Sequence, residues 1–209
     1  MGIIDKLASS LNRRDEIPNV ELAKQIAAKK DKTAIRDLVD NLSNKNKHIQ
    51  NDCIKVIYEV GEIDPSLIAQ YTGEFIRLLS HKNNRLQWGA MTAINAIVPE
   101  KPKEVYAALP KIMAAAESGS VITNDYAVNI LVKLGAHKQY EQNVFALLIE
   151  LIVKSPVNQL PTYAEKALPY VNAKNKSIFI DTLNARLPDV DKDTKRKRLE
   201  VVIQKAIKR

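Results

Sequence analysis

Residues 51–60 read Asn-Asp-Cys-Ile-Lys-Val-Ile-Tyr-Glu-Val, and 37 positions on, residues 88–97 read Trp-Gly-Ala-Met-Thr-Ala-Ile-Asn-Ala-Ile. The same step leads to 125–134, Asp-Tyr-Ala-Val-Asn-Ile-Leu-Val-Lys-Leu, and to 162–171, Thr-Tyr-Ala-Glu-Lys-Ala-Leu-Pro-Tyr-Val. Three columns stay small or apolar through all four copies: Cys53, Ala90, Ala127 and Ala164; Ile57, Ile94, Leu131 and Leu168; Val60, Ile97, Leu134 and Val171. Upstream the step aligns Leu38, Phe75, Ile112 and Ile149, and also Leu42, Leu79, Ala116 and Val153. A fixed period of this length is the signature of a repeat architecture, in which each unit buries its apolar face against the next.

Within a copy the apolar columns fall at i, i+4 and i+7 in the second segment and at i, i+4 in the first, which is helical spacing. Each unit therefore reads as a helical hairpin. Polar stretches separate its helices: Ser43 to Asn46, Ser80 to Asn83, Ser118 to Ser120, and Ser155 to Asn158. Gly61 and Gly135 are expected to cap helix C-termini. Asp64-Pro65 is expected to open a first helix, and Pro102 stands 37 residues after Pro65. The small column has a steric reason, since bulk at Cys53 or its equivalents would push neighbouring helices apart. At the ends, Ile3, Ile4, Leu7 and Leu11 suggest an amphipathic start, and Val20 and Ala23 echo the period. Ile178, Ile180, Leu183 and Leu187 read as one helix stopped by Pro188, and Leu199, Val202, Ile203, Ala206 and Ile207 as a closing helix.

The predicted fold is an all-α, right-handed solenoid of hairpins. Residues 1–30 form an N-terminal cap or degenerate repeat, 31–63, 64–100, 101–137 and 138–174 the four repeats, and 175–209 a C-terminal cap, all in one domain. Composition agrees: 45% hydrophobic, 27% charged and only 5% aromatic residues with 6 Gly among 209 residues point away from disorder and from an all-β fold. Cys53 is the single cysteine, so no intramolecular disulfide or cysteine-rich zinc site forms. No apolar run nears the ~20 residues of a membrane span and the first residues carry Asp5 and Lys6, so a soluble, cytoplasmic monomer is the expectation.

The net charge of +8 is unevenly laid out. Residues 1–50 carry +3, 51–100 carry −2, 101–150 are neutral and 151–209 carry +7. Lys192, Lys195, Arg196, Lys197, Arg198, Lys205, Lys208 and Arg209 make a basic patch at the end, without interleaved aromatics. A patch of this kind attracts polyanions without specifying one, and a solubilising cap face is the simpler reading.

The pattern resembles the HEAT repeat family over residues 31–174. Ala90 with Ile94 and Ala127 with Leu131 match its second-helix signature, Pro110 stands where its first helix commonly kinks, and Gly73 lies one period earlier. The Asp and Arg that HEAT repeats often carry across the turn are absent, those columns holding Asn44, His81, Ser118 and Ser155, and Gln50, Gln87, Asn124 and Pro161. The resemblance implies that second helices line a concave, partner-binding face. On that face it places Lys55, Arg85, Trp88, Asp125, Tyr126, Asn129, Tyr163 and Lys166, and it implies a non-enzymatic scaffold for a protein or peptide partner, with no cofactor and no metal. Some HEAT-like proteins are alkylpurine DNA glycosylases that use an aspartate and tryptophans, and Trp88 and Asp125 share one column. The alternative function is accordingly DNA binding or base excision, although the central hundred residues lack the basic surface that phosphates need. His48, His81 and His137 lie near three different turns, and Asp52, Glu59, Glu62 and Asp64 read as a solvated acidic edge instead of a metal site.

Overall fold

Asn46 and Asn83, one period apart, cap two helices in the same way. The Oδ1 of Asn46 accepts the N–H of His48 at 2.9 Å, and that of Asn83 accepts the N–H of Arg85 at 3.0 Å. In the computed structural model, which describes residues 2–209, these caps open α3 (Lys47–Ile63) and α5 (Asn84–Ile97). Before them run α1 (Ile17–Lys29), α2 (Lys32–Asp40), whose first turn Asp31 caps, and α4 (Thr72–Leu78). After them come α6 (Pro102–Ala107), α7 (Leu109–Ser118), α8 (Val121–Gly135), α9 (Glu141–Lys154), α10 (Leu160–Ala167), α11 (Lys176–Arg186) and α12 (Asp193–Ile207). There is no strand among the described residues.

The chain divides into two compact units, Met1–Ala127 and Val128–Arg209. In the first, α1 packs on α3 and α3 on α5, while α2 and α4 pack against the helices that follow them. In the second, α9 packs on α10, α11 on α12, and α10 on α12. Second helices thus stack on second helices, and the small column is what permits it: Cys53, Ala90, Ala127 and Ala164 are all fully buried. The Cys53 thiol is pushed up to about 12, first by burial and then by the neighbouring Asp52 carboxylate, so it is a packing group and not a nucleophile.

Several expectations need correction. The two first-helix columns hold at Leu38, Phe75 and Ile112 and at Leu42, Leu79 and Ala116, all buried, and then fail. Ile149 is half-buried and Val153 is 51% exposed, while Leu148 and Ile152 fill the core. The buried positions of the fourth first helix are therefore set back by one residue, and one more residue separates Ile152 from Ala164 than Ala116 from Ala127, which returns Ala164 to register. Gly61 and Gly135 cap nothing: no glycine has a positive φ. Gly61 lies inside α3, where a Cβ would come 2.3 Å from Cδ1 of Ile68, and Gly135 ends α8 with the Tyr170 ring at 2.6 Å from a notional Cβ. Both are close-approach glycines.

Asp64-Pro65 opens a single 3-10 turn, Pro65–Leu67, in place of an α-helix. A second turn, Ala69–Tyr71, precedes α4, with the Thr72 hydroxyl donating to the Ala69 carbonyl at 2.6 Å at the junction. The break thus lies ahead of Gly73, which sits in the first turn of α4 with open space around it. Pro102 starts α6 as expected, and Pro110 goes beyond a kink: the helix stops at Ala107 and restarts at Leu109, because a proline interior to a helix lacks the N–H and crowds the preceding turn.

At the ends, Leu7 alone of the four leading apolar residues is buried, and Leu11 is exposed. α11 buries Phe179 and Leu183, and Ile178 is 54% exposed. A 3-10 turn, Leu187–Asp189, carries Pro188. Leu199, Val202, Ile203 and Ala206 seat α12, leaving Ile207 outside. Among the described residues no helix is long and apolar enough to cross a membrane.

Candidate interaction face

Lys55 on α3 sits at i and Glu59 at i+4, so their side chains meet along one face, Nζ to Oε1 at 2.7 Å. A second carboxylate reaches the same ammonium from outside the helix: Glu16 Oε2 lies 3.2 Å away. The Lys55 side chain is only 12% exposed. Burial alone would pull its pKa down, but its bonds to Glu59 and Tyr58 outweigh that and hold it above the ordinary lysine range. The ammonium lies 4.9 Å from the centre of the Tyr58 ring.

One repeat on, Arg85 takes the other oxygen of Glu16 in an ion pair, and its guanidinium lies 5.4 Å from the Trp88 ring centre. The two aromatics touch, centroids 5.7 Å apart and tilted 48°. Tyr58 is buried, and burial pushes its hydroxyl up, with Lys55 opposing. Trp88 is half-buried, and its carbonyl accepts the Thr92 hydroxyl at 3.0 Å. Two cations on adjacent helices, each beside an aromatic ring, thus hold one shared carboxylate.

That carboxylate belongs to the chain's own leading segment. Glu16 occupies the N-cap position of α1, yet its side chain makes no capping bond; the N–H of Ile17 goes to Asp15 Oδ1 at 3.0 Å. The segment is tied down through Asp52, whose two oxygens accept the Ser9 N–H and the Asn19 Nδ2, each at 2.8 Å. Asn19 in turn accepts the Ala8 N–H at 3.0 Å.

The remaining face residues are dispersed. Asp125 and Tyr126 are half-buried on α8, and Tyr126 adds a small upward push on Tyr58. In the second unit, Asn129 Oδ1 accepts Lys166 Nζ at 2.6 Å, joining α8 to α10 at one period's separation. Tyr163 is 1% exposed and offers no surface. Of the eight residues expected on this face the structure brings Lys55, Arg85 and Trp88 together, and it adds Glu16 and Tyr58, which the sequence does not single out. Tyr58 could have been found, lying at i+3 from Lys55. Nothing in Arg13-Arg14-Asp15-Glu16 signals where that turn folds back.

The basic patch is largely engaged. Arg198 makes two bonds to Glu165, at 2.8 and 2.6 Å, and one to Thr162 at 3.2 Å. Arg196 donates to the Val190 carbonyl, Lys195 to Asn158, and Arg209 to the carbonyls of Pro169 and Val171. Lys192, Lys197, Lys205 and Lys208 are left exposed. Lys197, Arg198, Lys205 and Val201 line a groove of about 360 Å³ with Glu165. A second hollow, of about 570 Å³, lies at the turns before α3 and α5, among Lys45, Lys47, His81 and Lys82.

His48 is exposed, His81 Nδ1 accepts the Asn83 N–H at 3.0 Å, and the His137 ring lies 5.9 Å from Tyr140. The acidic group is dispersed as well, with Asp52 on the leading segment, Glu59 on Lys55, and Asp64 accepting from Ser66. Among the described residues no three His, Cys, Asp or Glu converge as metal ligands.

No family model matches the chain, and no curated protein matches it. Solved structures do. An engineered protein aligns over 100% of this chain and 98% of its own at 16% identity and a TM-score of 0.62. A designed armadillo repeat protein in complex with the peptide (KR)4 aligns over 98% of both chains at 13% identity and 0.63. A computationally designed armadillo repeat protein for modular peptide recognition covers 97% of this chain and 98% of its own, at 13% identity and 0.62. At such identities the likeness concerns the fold, and the fold is an all-helical repeat of the armadillo-like kind.

Proposed function

We propose that this chain is a non-enzymatic, monomeric, cytoplasmic scaffold that binds a peptide or protein partner on its second helices, with the four hairpins at 31–63, 64–100, 101–137 and 138–174 as its HEAT-like modules. The observation that carries this is the surface of α3 and α5, where a half-buried tryptophan, a tyrosine, a lysine and an arginine from two successive repeats meet. Aromatic and arginine anchors in partly desolvated settings are what interfaces concentrate their energy in. Supporting it, solved structures of the same fold include a designed protein in complex with a peptide and one designed for peptide recognition. The lesion-DNA alternative draws little support from this face, since residues 51–100, which supply it, carry a net charge of −2 and lack the basic surface that phosphates need.

The test is selection of peptides from a displayed random library against the whole chain, followed by titration with Trp88 as the sole tryptophan reporter in the wild type. Selected peptides should shift its emission saturably and bind Trp88→Ala, followed calorimetrically, about tenfold or more weakly, with helicity unchanged. Undiminished affinity for Trp88→Ala would place the binding elsewhere.

A further inference from the structure

We propose that the α3 and α5 face is a carboxylate-receiving site, that its occupant is an acidic segment of a partner protein, and that Glu16 stands in for that segment in the free chain. This rests on the scaffold reading and names the chemistry of the ligand at the same surface.

The first reason is convergence. Lys55 and Arg85 come from helices of different repeats, and both point at the one Glu16 carboxylate. The second is unused capacity. A guanidinium offers five donors in a fork that suits bidentate carboxylates, and among the described residues Arg85 has Glu16 as its only ion-pair partner. An external carboxylate approaching over Trp88 can take the fork, whereas Glu16, fixed by its backbone at the start of α1, approaches from one side.

The third reason is that Glu16 is easily moved. Its side chain is 41% exposed, it caps nothing, and residues 11–15 before it are exposed. The pair with Arg85, 41% exposed on both sides, is of the open kind that holds weakly, so exchanging one carboxylate for another there loses little. Charge completes the argument. With Glu16 turned away, the ion pair left to Lys55 and Arg85 among the described residues is the one to Glu59, leaving two cations against one carboxylate beside two aromatic rings. An acidic residue restores neutrality there, and a basic one would add to the excess.

The experiment uses the full chain and two acetylated, amidated octapeptides, alternating Glu-Gly and alternating Lys-Gly, titrated by Trp88 fluorescence at low salt. The Glu peptide should bind, about tenfold tighter to Glu16→Gln and about tenfold weaker to Arg85→Gln, and the Lys peptide should bind neither. Circular dichroism of each variant should match the wild type, since both positions are open to solvent. If the Lys peptide shifts Trp88 emission and the Glu peptide does not, the carboxylate proposal falls while the peptide-binding face survives. Equal gains for both peptides with Glu16→Gln would reduce Glu16 to a steric cover, which also overturns it. So would failure of the Glu peptide to bind Glu16→Gln. Library-selected peptides that ignore Trp88→Ala would instead remove the scaffold reading beneath it.

Discussion

Helices α3 and α5 in the first unit and α10 and α12 in the second carry cations at related places in the repeat, and use them differently. In the second unit the cations join helix to helix, Lys166 to Asn129 and Arg198 to Glu165 and Thr162, and Lys195 reaches Asn158 in the turn before α10. Arg186 likewise donates to the carbonyls of Ile152 and Ser155, each at 2.9 Å, at the end of α9, where cations complement the exposed end of a helix. In the first unit Lys55 and Arg85 lie beside aromatic rings and meet a carboxylate from outside their own hairpins. The basic end of the chain thus ties Lys166, Arg186 and Arg198 into its own fold while Lys192, Lys197, Lys205 and Lys208 stay exposed. Net charge per segment is a poor guide to how the charges are paired.

The widest separation between the two regions is expected between Trp88 and Tyr163, which stand in adjacent columns of the repeat. Tyr163→Ala should cost about 3–5 kcal/mol in chemical denaturation, the range for truncating a fully buried aromatic, with no effect on peptide affinity beyond lost folded protein. Trp88→Ala, half-buried, should show the reverse pattern. If Tyr163→Ala unfolds at the wild-type denaturant midpoint, the second unit's face is as open as the first's and the contrast is wrong.

A smaller effect is expected at Gly89. Alanine there gains up to about 1 kcal/mol of helix propensity, but its Cβ would meet Ile54 Cγ1 at 2.6 Å and Cγ2 at 3.2 Å, both close to the branch point. Overpacking of this kind costs about 1–3 kcal/mol, so a net loss near 1 kcal/mol is expected, read as a lower melting temperature. A stabilised Gly89→Ala would show that α3 and α5 can separate freely, and that the Tyr58–Trp88 contact is not held by the core beneath it.

How far the sequence revealed this follows from what a period can encode. Columns report burial, so Cys53, Ala90, Ala127 and Ala164 were legible, as was the all-helical repeat. A one-residue offset inside a single unit was not, because Ile149 and Val153 are as apolar as the Leu148 and Ile152 that displaced them. Helical spacing also places Tyr163 and Trp88 on one face without saying how closely the next helix covers it. Glu16 was invisible for a different reason: its role depends on where an irregular segment folds back, which is fixed by hydrogen bonds to Asp52 over 30 residues away in sequence.

The smallest effect expected is at Arg198 and Glu165, and its pH dependence sharpens the comparison. The Arg198 guanidinium, by direct hydrogen bonding, holds the Glu165 carboxyl below its ordinary 4.5, with burial working against it. A carboxyl depressed in the folded state stabilises above its unfolded value, and that stabilisation fades as pH falls through the lower folded value. Both side chains are more than 40% exposed, at 44% and 41%, so solvent screens the pair, and a double-mutant cycle with Glu165→Gln and Arg198→Met at neutral pH should give about 0.2–1 kcal/mol of coupling. Below the folded value of the carboxyl the coupling should vanish, and added salt should shrink it at any pH. A coupling that persisted in acid would mean that the contact is carried by packing of the arginine stem along α10, and the second unit's cations would then be covering apolar surface instead of pairing charge.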